Sequence, residues 1–217
     1  MTRRVIAVSA GLGQPSSTRL LAEQLSTSLQ RNVTRRGESV EVEVIDLREL
    51  AQDITSHMLT GFPGGRLAEV IDRVLAADGL ITVTPVFTAS YSGLFKSFFD
   101  VLDVDALRGK PVLLGATAGS GRHSLVIDHA MRPLFAYLRA FVVPTGVMAA
   151  SEDFGTAGLQ ARIDRAADEL ASLVLGTGST AVAGYGPSEE ESHRVSGSTD
   201  DVAEVTDFAT LLGEQLR

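Results

Sequence analysis

Residues 5–19 read VIAVSAGLGQPSSTR, an apolar run followed by a loop of small residues and the start of a helical pattern. This succession predicts a β-strand, a glycine-containing loop and an α-helix. Glycines allow backbone N–H groups to approach an anion closely, and a helix N-terminus leaves its first amides unpaired and carries partial positive charge. The stretch therefore predicts an α/β protein with a phosphate site after its first strand.

Hydroxyl side chains give this loop further hydrogen-bond donors for one compact phosphate. They belong to Ser9, Ser16, Ser17 and Thr18. Ser16 stands where the dinucleotide fingerprint GxGxxG needs its third glycine, and no Gly-Lys-Ser/Thr follows as in a P-loop. We therefore expect the phosphate of a mononucleotide. The alternative is an ordinary strand-to-helix turn in which Ser16 or Ser17 only caps the helix.

Strand-like and helical patterns alternate along most of the chain. Five strands are predicted, at about residues 4–9, 40–46, 79–84, 111–117 and 141–147. Five helices are predicted, at about residues 17–32, 65–77, 91–102, 124–139 and 156–175. Residues 52–64 are predicted to be a long loop. The alternation predicts one α/β domain over residues 1–176, with a parallel sheet and helices on both faces.

Two further loops with unusual composition follow the third and fourth strands. Residues 84–92 read TPVFTASYS, and residues 116–124 read ATAGSGRHS. Ligands of open α/β sheets bind beyond the carboxyl ends of the strands, so we expect both loops to meet the first one. The first of the two supplies an aromatic residue and backbone amides for a flat ring. Phe95, Phe98 and Phe99 are expected in the core, since aromatic residues on helices usually pack there.

Composition excludes several classes of function. The 217 residues include no cysteine, so disulfides, thiolate catalysis and cysteine-ligated metals are excluded. No apolar run approaches the ~20 residues of a membrane helix, and the short N-terminal run fits a strand better than a signal peptide. We expect a cytoplasmic protein without a membrane partner. The formal net charge is −8 and no basic stripe is present, so nucleic acid is not an expected partner.

The last part of the chain differs from the rest in composition. Residues 176–217 carry eight of the 27 acidic side chains but two of the 19 basic ones. Residues 177–198 are rich in glycine, serine and acidic residues, and 201–216 carry an apolar stripe at helical spacing. We therefore predict that residues 177–217 form a flexible acidic linker and a short C-terminal amphipathic helix.

With these loops the chain resembles the flavodoxin-like NAD(P)H-dependent FMN reductases, in particular the reductase components of two-component flavin-dependent monooxygenases. The resemblance rests on the first loop, on TPVF at 84–87 with SYSG at 90–93, and on ATAG at 116–119. It covers about residues 3–175. It implies a flavodoxin-like five-stranded parallel sheet in the order 2-1-3-4-5, with helices on both faces.

The resemblance also implies which residues bind FMN. The phosphate would be held by the hydroxyls of Ser9, Ser16, Ser17 and Thr18. The flavin ring would be flanked by two segments: Pro85, Val86, Phe87 and Thr88, and Thr117, Ala118, Gly119 and Ser120. The chain departs from many relatives at two places. Gly13-Gln14-Pro15 stands where they have a loop arginine, and Phe87-Thr88 stands where they have Tyr and Asn or Lys. Both changes remove polar groups, which indicates loosely held FMN.

The implied function is NAD(P)H-dependent reduction of FMN by hydride transfer to flavin N5, which supplies reduced FMN to a partner monooxygenase. The implied cofactors are FMN and NAD(P)H, and no catalytic side chain or metal ligand is expected. Two alternatives stay open: an FMN-bound quinone, azo or chromate reductase, and a non-enzymatic flavodoxin-like electron carrier. A homodimer or homotetramer is expected, because Phe87, Tyr91 and residues 52–64 would leave an apolar rim beside the site.

Overall fold

A computed structural model describes residues 2–176. The predicted linker and C-terminal helix at 177–217 lie outside the described residues. The strands are β1 (Arg3–Ser9), β2 (Val40–Asp46), β3 (Gly79–Phe87), β4 (Ser90–Tyr91), β5 (Pro111–Ala118), β6 (Phe141–Val142) and β7 (Val147–Ala150). The α-helices are α1 (Ser17–Arg35), α2 (Ala51–Thr60), α3 (Gly65–Ala76), α4 (Gly93–Asp100), α5 (Arg132–Tyr137) and α6 (Ala157–Gly176).

The strands form one mainly parallel sheet in the order β2-β1-β3-β5-β6. β7 also pairs with β5 in parallel, and the short β4 pairs with β3 in antiparallel orientation. The predicted α/β class with a parallel sheet and helices is therefore confirmed. The sheet holds seven strands instead of the predicted five, because β3 turns back on itself through β4 and the last predicted strand is interrupted.

The interruption between β6 and β7 has a physical cause. Pro144 has no N–H to donate to a neighbouring strand. Arg132 donates to the carbonyl oxygens of Val143, at 3.0 Å, and of Pro144, while the Thr145 N–H donates to Glu169 at 2.7 Å. Side chains of α5 and α6 thus replace the hydrogen bonds that a continuous strand would make at this point.

Each face of the sheet carries its own apolar core. Successive residues of a strand point to opposite faces, so Ile6 and Val8 of β1 pack toward α3, α4 and α5, whereas Val5 and Ala7 pack toward α1 and α6. On the first side the buried rings of Phe95, Phe98, Phe99 and Phe135 form a cluster with centroids 4.8–6.2 Å apart. The prediction that the helical phenylalanines belong to the core is therefore confirmed.

Two local predictions are wrong. The predicted loop at 52–64 is mostly the helix α2, which ends where Gly61 adopts φ 78° and its N–H donates to His57 O at 2.8 Å. Only Ile54 of this helix is buried, so its apolar pattern is too weak to be recognised in the sequence. The predicted helix at 124–139 is divided into a π-helical turn (Ile127–Met131) and α5. Among residues 2–176 no helix has both the length and the apolar character needed to cross a bilayer.

The aromatic cluster gives a test of the fold. We predict that Phe95→Ala lowers the free energy of unfolding by about 3–5 kcal/mol, because it leaves a cavity in a packed core. Phe141→Ala, at a side chain that lies mostly in solvent, should change it by less than about 0.5 kcal/mol. Chemical denaturation followed by circular dichroism measures both values, and equal losses in the two variants would contradict the packing described.

Candidate active site at the carboxyl edge of the sheet

Three loops meet at the carboxyl edge of the sheet, as predicted. They follow β1, β3 and β5, which lie side by side in parallel. In register, Ser9 lies beside Val83, and Pro85 lies beside Thr117. The Ala10 N–H also donates to Val83 O at 2.9 Å, which ties the start of the first loop to β3. The sheet therefore fixes the starting points of all three loops relative to one another.

The first loop turns tightly into α1. Ser16 is the N-cap of this helix, and its hydroxyl accepts a hydrogen bond from Arg19 N at 3.2 Å. A Cβ atom on residue 11 would lie 2.0 Å from Ser16 Oγ, so only glycine permits this approach. The capping role that the sequence left as an alternative is present for Ser16. It is compatible with an anion site, because the other first-turn amides still point out of the helix end.

The remaining hydroxyls of the first loop differ in their surroundings. Ser17 is exposed, whereas Ser9 and Thr18 are buried. The Ser9 hydroxyl has no hydrogen-bond partner among the described residues. Thr18 Oγ1 lies 2.8 Å from Thr117 Oγ1, in a buried hydrogen bond between the first turn of α1 and the end of β5. The sequence predicts Thr18 and Thr117 as site residues but not this bond between them.

The second loop is a hairpin that holds Phe87 in an exposed position. Pro85 is buried and Val86 half-buried, whereas Phe87 and Thr88 are exposed. Thr88 and Ala89 have φ of 49° and 65°, the left-handed region that two-residue hairpin turns require and that side chains other than Gly, Asn and Asp adopt rarely. No Asn-Gly pair marks this turn, so no local residue pattern predicts it.

Thr84 and Ser92 hold the hairpin in place, and sequence reasoning missed Thr84. The Thr84 hydroxyl accepts a hydrogen bond from Ser92 N at 3.0 Å and donates to Pro85 O at 2.9 Å. Ser92 caps α4, and its hydroxyl accepts from Phe95 N at 3.2 Å. The backbone of the second loop is thus anchored to the buried aromatic cluster beneath it.

The third loop begins at the buried Thr117, and the residues that follow are more exposed. Ala118 and Ser120 are half-buried, and Gly119 is exposed with open space around the position of a Cβ. A short 3-10 turn follows at Gly121–His123. All twelve residues predicted for the site therefore lie on the three converging loops or at the strand and helix ends that carry them.

A cavity of about 940 Å³ adjoins the first loop on the side of β2. Its charged lining residues are Arg19, Arg48, Glu23, Asp46 and Glu49. Arg19 Nε donates to Glu23 at 2.8 Å, and its Nη1 donates to Asp46. The hydrogen bond to Asp46, and to a smaller extent the one to Glu23, raises the pKa of Arg19 above its usual value. The i,i+4 spacing of Arg19 and Glu23 is a sequence signal for their pairing. The pairing of Arg19 with Asp46, 27 positions away, has no such signal.

Comparison with known proteins agrees with this arrangement. A family model described as NADPH-dependent FMN reductase matches residues 3–155. An FMN reductase (NADPH) of Pseudomonas aeruginosa is 37% identical over 80% of this chain and 93% of its own length. The NADH-dependent FMN reductase SfnF of Pseudomonas fluorescens is 36% identical over 78% of this chain and 91% of its own.

A solved structure of similar fold is an oxidoreductase from Corynebacterium diphtheriae. It is 52% identical, superimposes with a TM-score of 0.79, and covers 81% of this chain and 98% of its own. The family model spans most of the described residues and all three loops at the carboxyl edge of the sheet. The chain therefore belongs to the NADPH-dependent FMN reductase family.

Proposed function

We propose that this protein transfers a hydride from NAD(P)H to FMN and supplies the reduced FMN to a partner monooxygenase. One observation carries the proposal: the loop after β1, where the buried Ser9 hydroxyl has no partner among the described residues, meets the loops after β3 and β5 on adjacent parallel strands. The family and the relatives named FMN reductase support the same activity. A cytoplasmic location belongs to this proposal, because NAD(P)H is a cytoplasmic metabolite.

The residues present fit FMN at its phosphate end. Buried hydroxyls in folded proteins nearly always have a partner. The Ser9 hydroxyl has none among the described residues and lies where β1 opens into the phosphate loop. A bound phosphate would supply that partner. Gly11, at which a Cβ atom would collide with Ser16, keeps the backbone close to the same place.

We assign roles to the three loops on this basis. Ser9, Ser16, Ser17 and the first-turn amides of α1 bind the phosphate, and Thr18 fixes this turn to β5 through Thr117. The segments 85–88 and 117–120 flank the ring, and backbone amides of 118–121 stabilise negative charge on it. FMN held there would supply the redox chemistry, as the acceptor of the hydride from NAD(P)H. The chain needs no side-chain acid or base for that transfer.

Steady-state oxidation of NADH and NADPH tests the proposed activity. FMN, FAD, riboflavin and a quinone are varied as acceptors, with protein freed of flavin by dialysis. The proposal expects oxidation that rises and saturates with added FMN in the absence of a quinone. An FMN-bound quinone reductase would instead retain its flavin and need the quinone, and an electron carrier would oxidise neither nucleotide.

Ser9 provides a clean test of the phosphate site. Ser9→Ala removes no hydrogen bond between described residues, so the fold should keep its stability. It should weaken FMN binding by roughly 1.5–3 kcal/mol, the scale of a hydrogen bond to a charged group, and leave riboflavin binding unchanged. Flavin fluorescence quenching measures both affinities.

Ser26→Ala serves as the matched control for Ser9→Ala. Ser26 is also buried, but its hydroxyl donates to Ala22 O within α1, away from the loop. This variant should leave both flavin affinities unchanged. If Ser9→Ala weakened riboflavin binding as much as FMN binding, the hydroxyl would not be a phosphate ligand.

We also propose that the protein is a homodimer or homotetramer. Leu59 and Phe62 at the end of α2 are 82% and 78% exposed, and Met58 and Phe87 are exposed as well. Met58, Leu59 and Phe62 lie within five consecutive residues, and grouped exposed apolar side chains are typical of association surfaces. Leu59→Asp should therefore shift the protein toward monomers in light scattering at micromolar concentration. Leu75→Asp, on the exposed side of α3, should not, and a monomeric native protein would exclude the proposal.

The division into a reductase domain at 1–176 and a separate tail at 177–217 is a further proposal. All three loops of the site precede residue 125. Deletion of 177–217 should therefore leave FMN affinity within about twofold of the full chain, since no described site residue is removed. A deletion variant that is folded by circular dichroism but no longer binds FMN would place the tail in the site.

A further inference from the structure

Arg19, on α1, is one of two arginines that line the cavity beside the loop after β1. It lies in the first turn of α1, directly after Ser16, Ser17 and Thr18, and its N–H is the group that Ser16 caps. Its side chain lines the same cavity as Gly11 and Ser16. A guanidinium in this position would ordinarily be a phosphate ligand.

The Arg19 guanidinium is instead bonded to two carboxylates. Glu23 accepts from Nε at 2.8 Å one helical turn further on, and Asp46 accepts from Nη1. Asp46 ends β2 and lies in register beside Ser9 of the phosphate loop. Its side chain is only 19% exposed, compared with 44% for Arg19, so this carboxylate is screened less by solvent than a free surface group.

The other charges around the cavity do not replace Arg19. Glu49 pairs with Arg66 at 2.6 Å, and Arg48 is exposed. The lining contains two arginines and three carboxylates, so it has no positive excess. A phosphate monoester carries roughly −1.5 to −2 charges at pH 7. An FMN phosphate at this loop therefore relies on hydroxyls and helix amides unless it takes Arg19 from its carboxylates.

We propose that Asp46 and Glu23 compete with the FMN phosphate for Arg19 and so set how readily FMN is released. Asp46 and Glu23 act as positioning residues, because they act through Arg19. The inference rests on the proposed function: a reductase that delivers reduced FMN to another protein needs an affinity low enough for release. The carboxylates lower that affinity without removing any hydroxyl from the phosphate loop.

Equilibrium binding of FMN and riboflavin to a double-mutant cycle tests the proposal. The variants are Asp46→Asn, Arg19→Ala and the double variant, with affinities measured by flavin fluorescence quenching. Asp46→Asn should bind FMN about two- to fivefold more tightly, the scale of a partly exposed ion pair, with riboflavin unchanged. Arg19→Ala leaves Asp46 unpaired and should weaken FMN binding, and in its background Asp46→Asn should bring a smaller gain in FMN affinity than in the native protein.

Two further variants provide a second test of the competition and a control for net charge. Glu23 is a more exposed partner of Arg19 than Asp46, so Glu23→Gln should raise FMN affinity by less than Asp46→Asn does. It replaces Asp46→Asn as the test if that variant does not fold. Glu43→Gln removes a carboxylate from β2 that pairs with Arg73 and does not line the cavity, so FMN affinity should not change. It separates an effect of net charge from an effect on Arg19.

The outcomes are distinguishable from a failure of the proposed function. A native protein that does not bind FMN would overturn the function itself. Given FMN binding, the inference is overturned if neither Asp46→Asn nor Glu23→Gln tightens it, or if riboflavin binding tightens equally. It is also overturned if Asp46→Asn gives the same gain with and without Arg19, since the carboxylate would then act by direct repulsion alone.

Discussion

The parallel pairing of β1, β3 and β5 is the constraint on which the site depends. It brings the ends of three strands to one edge of the sheet, where the loops that we propose bind the phosphate and the ring start from fixed positions. The buried hydrogen bond between Thr18 and Thr117 adds a direct link between the first and third loops. The hairpin after β3 is anchored separately, through Thr84 and Ser92, to the helix that carries the aromatic cluster.

Much of this arrangement follows from local patterns in the sequence. The run of apolar residues before Ser9 and the small residues after it predict the strand, loop and helix that the structure contains. Strand β2 and helices α1, α3 and α6 lie close to their predicted places. Local patterns miss two features. Arg132 and Glu169 satisfy backbone hydrogen bonds between β6 and β7 from distant helices, and α2 buries only Ile54, so its apolar pattern is weak.

Local sequence patterns also predict the candidate site only in part. Sequence reasoning found the residues of the three loops but not how they bond to one another. Thr18 and Thr117 are 99 positions apart, and Arg19 and Asp46 are 27 apart, so neither pair has a local signal. The turn at Thr88 and Ala89 lacks the residues that usually mark positive φ, and only the structure reveals it. The ion pairs beside the first loop therefore follow from tertiary contacts and not from local sequence.

A crystal structure of the protein with FMN tests the central claim most directly, because the claim concerns where FMN binds. The account predicts the phosphate against Ser9, Ser16 and Ser17 at the N-terminus of α1, and the ring between residues 85–88 and 117–120. The same map would show whether the Arg19 guanidinium stays with Asp46. FMN bound elsewhere on the sheet, with the Ser9 hydroxyl still without a partner, would contradict the account.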